Sequence, residues 1–371
     1  MSGGSVKLVA TGPQDAWLTG KPEVSFYRSN YRRSTHYSNS VELQVIQGTP
    51  APGNVSTIRF EKKGDLLSYV YLTQITSAGD VVPTNWSTII SRADLYIGGQ
   101  LIDSQNNEYN AVIEPVTGSQ TATQRIQGLS TYSSGANITP LGASASTAPP
   151  SSNFYPFKFF FCKDWSTSLP LIGLQFHDVE IRIQWNSAFT SANQFQAWAN
   201  FVYLDQVERD WFANNTQDIL ITQVQKVLPS FTNVLDISLA QPVKFLAFKT
   251  VASPVAFKTQ VNGVDIGDSR SAVHWSDVTQ YYHTPYGYNP ATQAPETVVV
   301  IPYCLDTSKL QPTGTLNFSR LDSFRIVVPS NNTISGNLFG GSNAGNQCHI
   351  YAVNYNVLRI MNGLGSLLYA S

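Results

Sequence analysis

Charged residues are scarce in this chain of 371 residues. Lys, Arg, Asp and Glu together make up 13% of it, and the formal net charge is −1. The usual charged share is about 25%. A protein that coats nucleic acid would carry a broad basic surface, so this balance predicts no sequence-specific nucleic-acid binding. A surface made polar by Ser, Thr, Asn and Gln instead suits a subunit whose sides face neighbours.

Cysteines and long apolar runs are also scarce. Cys162, Cys304 and Cys348 are the three cysteines, with no CxxC spacing, which favours a reducing compartment and no disulfide framework. The N-terminus MSGGSVKLVATG lacks the apolar core of a signal peptide, and its glycine stands at position 3, where myristoylation needs position 2. No stretch approaches the ~18 uninterrupted apolar residues of a membrane-spanning helix. We expect neither a signal peptide nor a membrane span.

Residues that carry catalysis or hold metals do not form recognisable sets. No HxH pair occurs among the five histidines, and His177 and Glu180 are three apart in an extended stretch, so they would point to opposite faces. No GxSxG elbow and no GxxxxGK[ST] phosphate loop is present, and GGSNAG (340–345) is off by one residue. We therefore expect no enzyme, no cofactor and no metal site.

Strand patterns dominate what the chain does contain. In VEIRIQW (179–185), apolar and polar residues alternate with the period of a half-buried strand. Further strands are predicted from β-branched and aromatic residues at 55–60, 66–75, 154–161, 218–224, 244–251, 297–303, 324–328 and 349–360. Helices are predicted only at 207–215 and 271–283. The pattern predicts an all-β protein with few short helices.

One segment occurs twice. FCKDWSTSLPLIGLQF (161–176) and YCLDTSKLQPTGTLNF (303–318) align at a constant offset of 142 residues. Upstream of each copy lies a predicted hairpin, with Gly98-Gly99 or Asn262-Gly263 at its two-residue turn. Downstream, ANFVYLD (199–205) matches VNYNVLR (353–359), which pairs Asn200 with Asn354. The repeated order predicts two similar β-domains in tandem.

The two halves differ in one long loop. Residues 116–152 hold one Arg and no other charged residue, and they are too poor in large apolar groups to form a core. About eight strands in each half predict a two-sheet sandwich, for which a jelly roll is the leading topology. Periodicity alone leaves an immunoglobulin-like sandwich open as the alternative.

A cationic and aromatic stretch precedes the first predicted strand. Lys21, Arg28, Arg32 and Arg33 alternate with tyrosines that include Tyr31. The stretch is either a solvated lead-in or a peg that contacts an acidic neighbour, a membrane surface or nucleic acid. Four cations are too few to choose among those partners.

Several blocks resemble the double jelly-roll major capsid proteins of nucleocytoplasmic large DNA viruses and related double-stranded DNA viruses. The matching blocks follow the family order and span nearly the whole chain. They are VATGPQDAWLTGKPEVSFYRSNYRR (9–33), FFFCKDWSTSLPLIGLQFHDVEI (159–181), VYLDQVERDWFA (202–213), PTGTLNFSRLD (312–322) and NYNVLRIMNGLGSL (354–367).

The resemblance implies a fold and a domain layout. The fold is two tandem eight-stranded jelly-roll β-sandwiches, with short helices in loops and connector. The layout is an N-terminal arm (1–40), a first jelly roll (41–205, with a loop insertion at 103–153), a connector (206–216) and a second jelly roll (217–371).

The resemblance also implies a function. Three subunits would form a homotrimeric, pseudo-hexameric capsomer that tiles an icosahedral capsid, next to minor capsid or penton proteins. The virion would be the location, after synthesis in the host cytoplasm.

The site residues that the resemblance implies are structural. Lys21, Arg28, Tyr31, Arg32 and Arg33 would lie in an arm at the inner base of the capsomer, facing an internal membrane or the core. A second set lies in the block that matches the connector between the barrels: Asp205, Glu208 and Arg209.

Two alternatives stay open beside the major capsid protein. A penton needs only one jelly roll, whereas the repeat shows two. A tandem jelly-roll glycan-binding protein, lectin-like or used for attachment, would use aromatic loops such as YYHTPYGYNP (281–290) to stack on sugars.

Overall fold

The structure is a computed structural model. It describes residues 3–118, 153–189, 194–228, 234–250, 256–271, 273–284, 297–328 and 349–369. The chain divides into two compact units, residues 1–36 and 37–371. Most of the insertion predicted at 103–153, part of the loop at 281–290, Cys348 and residues 340–345 lie outside the described residues. The domain boundaries predicted from the sequence stay a prediction.

Residues 1–36 form an arm without a core. Two short helices, Gly3–Val9 and Ala16–Thr19, carry no buried residue. Asp15 begins the second helix, and its Oδ2 accepts a hydrogen bond from the backbone N–H of Gly12 at 2.6 Å. Every described residue of the arm is exposed except Asp15, which is half-buried.

Residues 37–371 form two barrels of the same topology. The first barrel holds β1 Tyr37–Gln44, β2 Ile46–Gln47, β3 Val55–Arg59, β4 Leu66–Ile75, β5 Ile90–Ile97, β6 Gln100–Asn106, β7 Tyr155–Pro156, β8 Leu169–Pro170, β9 Val179–Trp185 and β10 Gln194–Leu204. The second holds β11 Gln217–Val227, β12 Val234–Asp236, β13 Pro242–Thr250, β14 Phe257–Val261, β15 Val264–Arg270, β16 Thr297–Pro302, β17 Leu316–Asn317, β18 Phe324–Val327, β19 Ile350–Met361 and β20 Leu364–Leu367.

Each barrel packs two antiparallel sheets with the same strand order. In the first barrel the orders are β1-β10-β4-β7 and β3-β9-β5-β6, and β2 extends the second sheet. In the second barrel they are β11-β19-β13-β16 and β12-β18-β14-β15. Numbered along each barrel, the eight main strands are thus ordered 1-8-3-6 in one sheet and 2-7-4-5 in the other. This is the jelly roll, so the predicted fold is confirmed and the immunoglobulin-like alternative is excluded.

Both predicted hairpin turns are confirmed. Gly98 and Gly99 have φ of 57° and 81°, and Asn262 and Gly263 have φ of 49° and 80°. Two successive positive φ values are what a two-residue turn between twisted antiparallel strands needs. The alternation in β9 is also confirmed, since every second residue from Val179 to Trp185 is buried.

The repeat of 161–176 at 303–318 is reproduced in three dimensions. Asp164 Oδ1 accepts hydrogen bonds from the backbone and hydroxyl of Ser166, both at 2.9 Å. Asp306 Oδ1 accepts the same two bonds from Ser308, at 2.9 and 2.8 Å. The two copies therefore form the same turn at equivalent places in the two barrels.

The pairing of Asn200 with Asn354 is wrong by one residue. Ala199 in β10 faces the apolar core of the first barrel, and Ala352 in β19 faces that of the second. Side chains alternate between the faces of a strand, and the register against the third main strand shifts between Ala199 and Phe201 in β10 and between Val353 and Asn354 in β19. Ala199 therefore corresponds to Ala352, and Asn200 corresponds to Val353. The sequence match brought two asparagines together that lie on opposite faces.

The strand predicted at 154–161 is also wrong in most of its length. Only Tyr155–Pro156 is a strand, and Phe160–Cys162 forms a 3₁₀ turn. The residues from Phe157 to Phe161 are all buried, which a pleated strand with one solvent face cannot achieve. Pro156 also has no N–H for a ladder hydrogen bond.

The predicted helices are confirmed at 207–215 and, in two parts, at 271–283. The first is the connector helix Gln206–Asn214, between the barrels. The second is a π-helical turn, His274–Val278, followed by the α-helix Thr279–His283. A helical element that sequence reasoning missed follows β6: a π-helical turn Tyr109–Ile113 and the α-helix Glu114–Thr117. A further short helix is Trp86–Ile89.

Candidate assembly surfaces

The junction between the two barrels begins where β6 meets the edge of β11. Asp103 Oδ1 in β6 accepts a hydrogen bond from the backbone N–H of Val224 at 2.9 Å. The side-chain amide of Gln223 donates to the carbonyl oxygen of Ile102. Burial raises the pKa of Asp103 to about 6, although the hydrogen bonds from Val224 and Gln105 oppose that rise. A carboxylate thus fixes the register of one barrel against the other.

The first helical segment, residues 107–117, covers the outer face of the second barrel. Tyr109 and Ile113 are buried there against β13, β16 and β19. The rings of Tyr109 and Tyr351 lie 5.6 Å apart. The apolar cluster between the barrels consists of Tyr109, Ile113, Phe245, Ala247, Val298, Val300, Tyr351 and Val353, with Val224 at its margin. The sheet of the second barrel is therefore apolar on both faces, which is typical of a sheet with a layer on each side.

Polar groups surround this apolar contact. Glu108 Oε2 lies 2.7 Å from Nδ1 of His349 and accepts a hydrogen bond of 2.7 Å from the hydroxyl of Tyr351. At the far end of the segment, the hydroxyl of Thr307 donates to the carbonyl oxygen of Thr117 at 3.2 Å. These bonds give the contact a defined direction and register.

The same segment is anchored to its own barrel by a buried ion pair. Glu114 binds the ammonium group of Lys158, whose side chain is 8% exposed. Burial works to raise the pKa of Glu114, but the charges of Lys158 and Lys163 outweigh burial, so its pKa lies below the usual range. The side-chain amide of Asn110 donates to the hydroxyl of Tyr155 at 2.8 Å. The segment is thus fixed on one side and presents its other side to the second barrel.

The C-terminal hairpin β19–β20 closes the junction at the opposite end. Asn362 and Gly363 have φ of 52° and 80° and form its turn. The backbone N–H of Phe176 donates to the carbonyl oxygen of Gly363 at 3.0 Å, and the ring of His177 lies 3.0 Å from the carbonyl oxygen of Gly365. His177 therefore has a packing role between the barrels.

One connector residue predicted from the sequence, Arg209, contacts a residue that sequence reasoning missed. Asp205 begins the connector helix, and its Oδ1 accepts from the N–H of Gln206 at 2.8 Å. Arg209 Nε lies 3.0 Å from Oδ1 of Asp65, which also accepts the N–H of Leu204 at 2.9 Å through Oδ2. No sequence signal marks Asp65, because it lies in a loop before β4, far from the connector along the chain.

Glu208 and the arm residues stand apart from these contacts. Among the described residues, Oε2 of Glu208 is buried without a hydrogen-bond partner. The five arm residues named from the sequence are all exposed within their own unit: Lys21, Arg28, Tyr31, Arg32 and Arg33. Their predicted contacts stay a prediction.

Neither a metal site nor a membrane-spanning helix was found within the part of the chain that the structure describes. No group of three His, Cys, Asp or Glu side chains is placed there to hold a metal ion. No helix in the same residues is long and apolar enough to cross a membrane.

Two family models match the chain. Residues 25–205 match the model described as major capsid protein N-terminus, and residues 250–366 match that of the large eukaryotic DNA virus major capsid protein. The major capsid protein of Pyramimonas orientalis virus is 29% identical, over 100% of both chains. The major capsid protein of Paramecium bursaria Chlorella virus 1 is 27% identical, also over 100% of both.

Solved structures show the same fold. VP54 of PBCV-1 has a TM-score of 0.73 at 21% identity and covers 94% of this chain and 100% of its own. The Faustovirus major capsid protein has a TM-score of 0.64 at 10% identity, with 95% and 94% covered. At these identities the likeness establishes the double jelly-roll architecture, in agreement with the strand orders above.

Proposed function

Because the chain belongs to the major capsid protein family of large eukaryotic DNA viruses, we propose that three copies of it close into a ring of six barrels. This homotrimeric, pseudo-hexameric capsomer would tile the icosahedral shell of a double-stranded DNA virus. The observation that carries the proposal is the junction within one subunit, which joins two barrels of the same topology through unlike surfaces. Repeated between subunits, such a heterologous contact generates a ring when its rotation closes.

The arm and the connector have separate proposed roles. Lys21, Arg28, Tyr31, Arg32 and Arg33 would contact an internal membrane or the core from the inner base of the capsomer. Their exposure supports this role, since cations and tyrosines at the water interface suit an anionic surface.

The connector would hold the spacing of the two barrels. The ion pair of Arg209 with Asp65 supports this role, because it ties the connector helix to the first barrel. Asp205 is the N-terminal cap of the same helix, and Glu208 lies in the first turn of that helix.

The remaining proposals concern partners and location. Minor capsid or penton proteins would be the other partners in the virion, and the chain would need no cofactor and catalyse no reaction. The family membership supports a structural role, because the matching relatives are capsid proteins.

Solution mass tests the proposal directly. Light scattering behind size exclusion should give one species of about three times 40.8 kDa, with no monomer detectable over the concentrations at which the unaltered chain is measured. Negative-stain images of that peak should show hexagonal outlines. A stable monomer of the full chain would refute the capsomer and would make glycan binding the next function to screen.

A further inference from the structure

We propose that the seam between subunits copies the junction within the subunit: the second helical segment, residues 273–283, of one copy packs on the outer face of the first barrel of the next copy. The occupant of that face is thus a second copy of this chain. The inference rests on the proposed capsomer and names the surfaces that would close it.

The two helical segments are equivalent parts of the two barrels. Each follows the fifth main strand of its barrel, and each is a π-helical turn followed by an α-helix. The π-helical turns begin at Tyr109 and His274, and the α-helices at Glu114 and Thr279, in both cases 165 residues apart. Gln280 anchors the second segment to its own barrel by donating to the carbonyl oxygen of Val298 at 3.0 Å. The second segment is therefore also fixed to its own barrel.

The outward sides of the two segments differ in whether they are covered. Ile113 is 0% exposed beneath the second barrel, whereas its counterpart Val278 is 40% exposed. Val273, the counterpart of Glu108, is 56% exposed, and Tyr282, the counterpart of Thr117, is 72% exposed. Three positions that contact the second barrel in the first segment are thus apolar or aromatic residues left in solvent in the second, while His274, the counterpart of Tyr109, is half-buried. Such a set of exposed apolar residues marks an interaction surface.

The receiving face follows from the strand pairing. Since Ala199 corresponds to Ala352, Trp198 corresponds to Tyr351. Tyr71 pairs with Trp198 as Ala247 pairs with Tyr351, so Tyr71 corresponds to Ala247.

The same reasoning extends the face to the two neighbouring strands. Pro156 pairs with Tyr71 as Val300 pairs with Ala247. Val41 pairs with Asn200 as Val224 pairs with Val353. All four counterparts, Val224, Ala247, Val300 and Tyr351, belong to the covered apolar cluster.

This face of the first barrel has the composition of an interface. Val41 is 39% exposed, and Tyr71, Pro156 and Trp198 are half-buried. Trp165, which corresponds to Thr307 by the repeat, is 63% exposed and lies 5.9 Å from the ring of Tyr69. Because Thr307 contacts Thr117 in the subunit, Trp165 would meet Tyr282 of the neighbouring copy. Aromatic residues of this kind are enriched at the centres of interfaces.

The strand edges match as well. β15 is exposed along its whole length at the edge of its sheet, and β1 forms the edge of its own sheet among the described strands. Asp268 occupies in β15 the place that Asp103 occupies in β6, 165 residues earlier. Asp268 would therefore accept the backbone N–H of Val41 in the next copy, as Asp103 accepts that of Val224.

The first test places a charge in the apolar centre of the seam. Val278→Asp should raise the concentration at which the trimer half-dissociates by about 100-fold or more, because an unpaired charge would be buried in the contact. Leu305→Asp is the matched control, since Leu305 is 71% exposed and its counterpart in the repeat, Lys163, is already charged. Light scattering across a dilution series measures both, with circular dichroism to establish that both variants are folded.

The second test introduces, at the seam between subunits, a pair of charged residues equivalent to the Glu108–His349 pair of the junction within the subunit. Glu108 and His349 lie 2.7 Å apart within the subunit, and their counterparts are Val273 and Gln196. The double variant V273E/Q196E should dissociate, and V273E/Q196K should stay trimeric, because only the sign at position 196 differs. Such a reversal cannot come from misfolding of one surface.

The outcomes separate the two proposals. If the unaltered chain is a monomer, the capsomer itself is wrong. If the unaltered chain is a trimer but V278D and V273E/Q196E both stay trimeric at high dilution, the capsomer stands and the seam lies elsewhere.

Discussion

Replacing Asp103 by asparagine should change how the stability of the chain depends on pH. Asp103 is 4% exposed, and its folded pKa of about 6 exceeds the ordinary value of 3.8 because it is buried between the barrels. A group with a raised folded pKa holds its proton more tightly in the folded state. Its contribution to the free energy of unfolding is therefore full below the unfolded pKa and is lost as the pH rises through about 6.

The magnitude follows from the shift. Each pKa unit corresponds to about 1.36 kcal/mol, so ionisation of Asp103 lowers the free energy of unfolding by about 2 to 3 kcal/mol between about pH 4 and pH 7. Asp103→Asn cannot ionise, while its side-chain oxygen can still accept the N–H of Val224. The variant should therefore gain stability relative to the unaltered chain as the pH rises.

Urea unfolding followed by tryptophan fluorescence at several pH values measures the difference. Asp80→Asn, in an exposed loop, is the control for the loss of one carboxylate. The reasoning is refuted if the free-energy difference between Asp103→Asn and the unaltered chain is the same at about pH 4 and about pH 7.

Two further predictions concern the junction and the arm. Ile113→Ala should lower the free energy of unfolding by about 2 to 4 kcal/mol, because Ile113 is fully buried between the barrels. The same change at Val278, in isolated subunits, should cost well under 1 kcal/mol, and equal losses in urea would contradict the assignment. Removing residues 1–36 should leave the thermal unfolding of the barrels unchanged but abolish sedimentation with anionic vesicles. Changing Arg28, Arg32 and Arg33 together to serine should also abolish vesicle binding at low salt. Binding that survives both the deletion and the triple change would contradict the role of the arm.

Local patterns predicted most of the strands and turns. Gly98-Gly99 and Asn262-Gly263 predicted their hairpins because positive φ at two successive residues restricts the residue type. Alternation predicted β9 because one of its faces is buried and the other half-exposed. The strand prediction for 154–161 was wrong because this segment has the aromatic composition of a strand but lacks the alternation of buried and exposed residues.

The junction between the barrels could not be predicted from local patterns. Asp103 and Val224 are 121 residues apart, and nothing in the neighbourhood of either marks the other. Asp65 escaped notice for the same reason, since Arg209, its partner, lies beyond the first barrel in the chain. The segment 107–117 is short and interrupted by a π-helical turn, so its helical period is broken.

The sheet β11-β19-β13-β16 is apolar on both faces, and this makes the order in which the two barrels are synthesised important for folding. A second barrel made alone would expose Phe245, Val300 and Tyr351 to water, and exposed apolar sheets aggregate. Domains emerge from the ribosome N-terminal first, so the helical segment that covers this sheet already exists when the sheet is made. We therefore expect the first barrel to cover the apolar face of the second barrel as soon as that face forms.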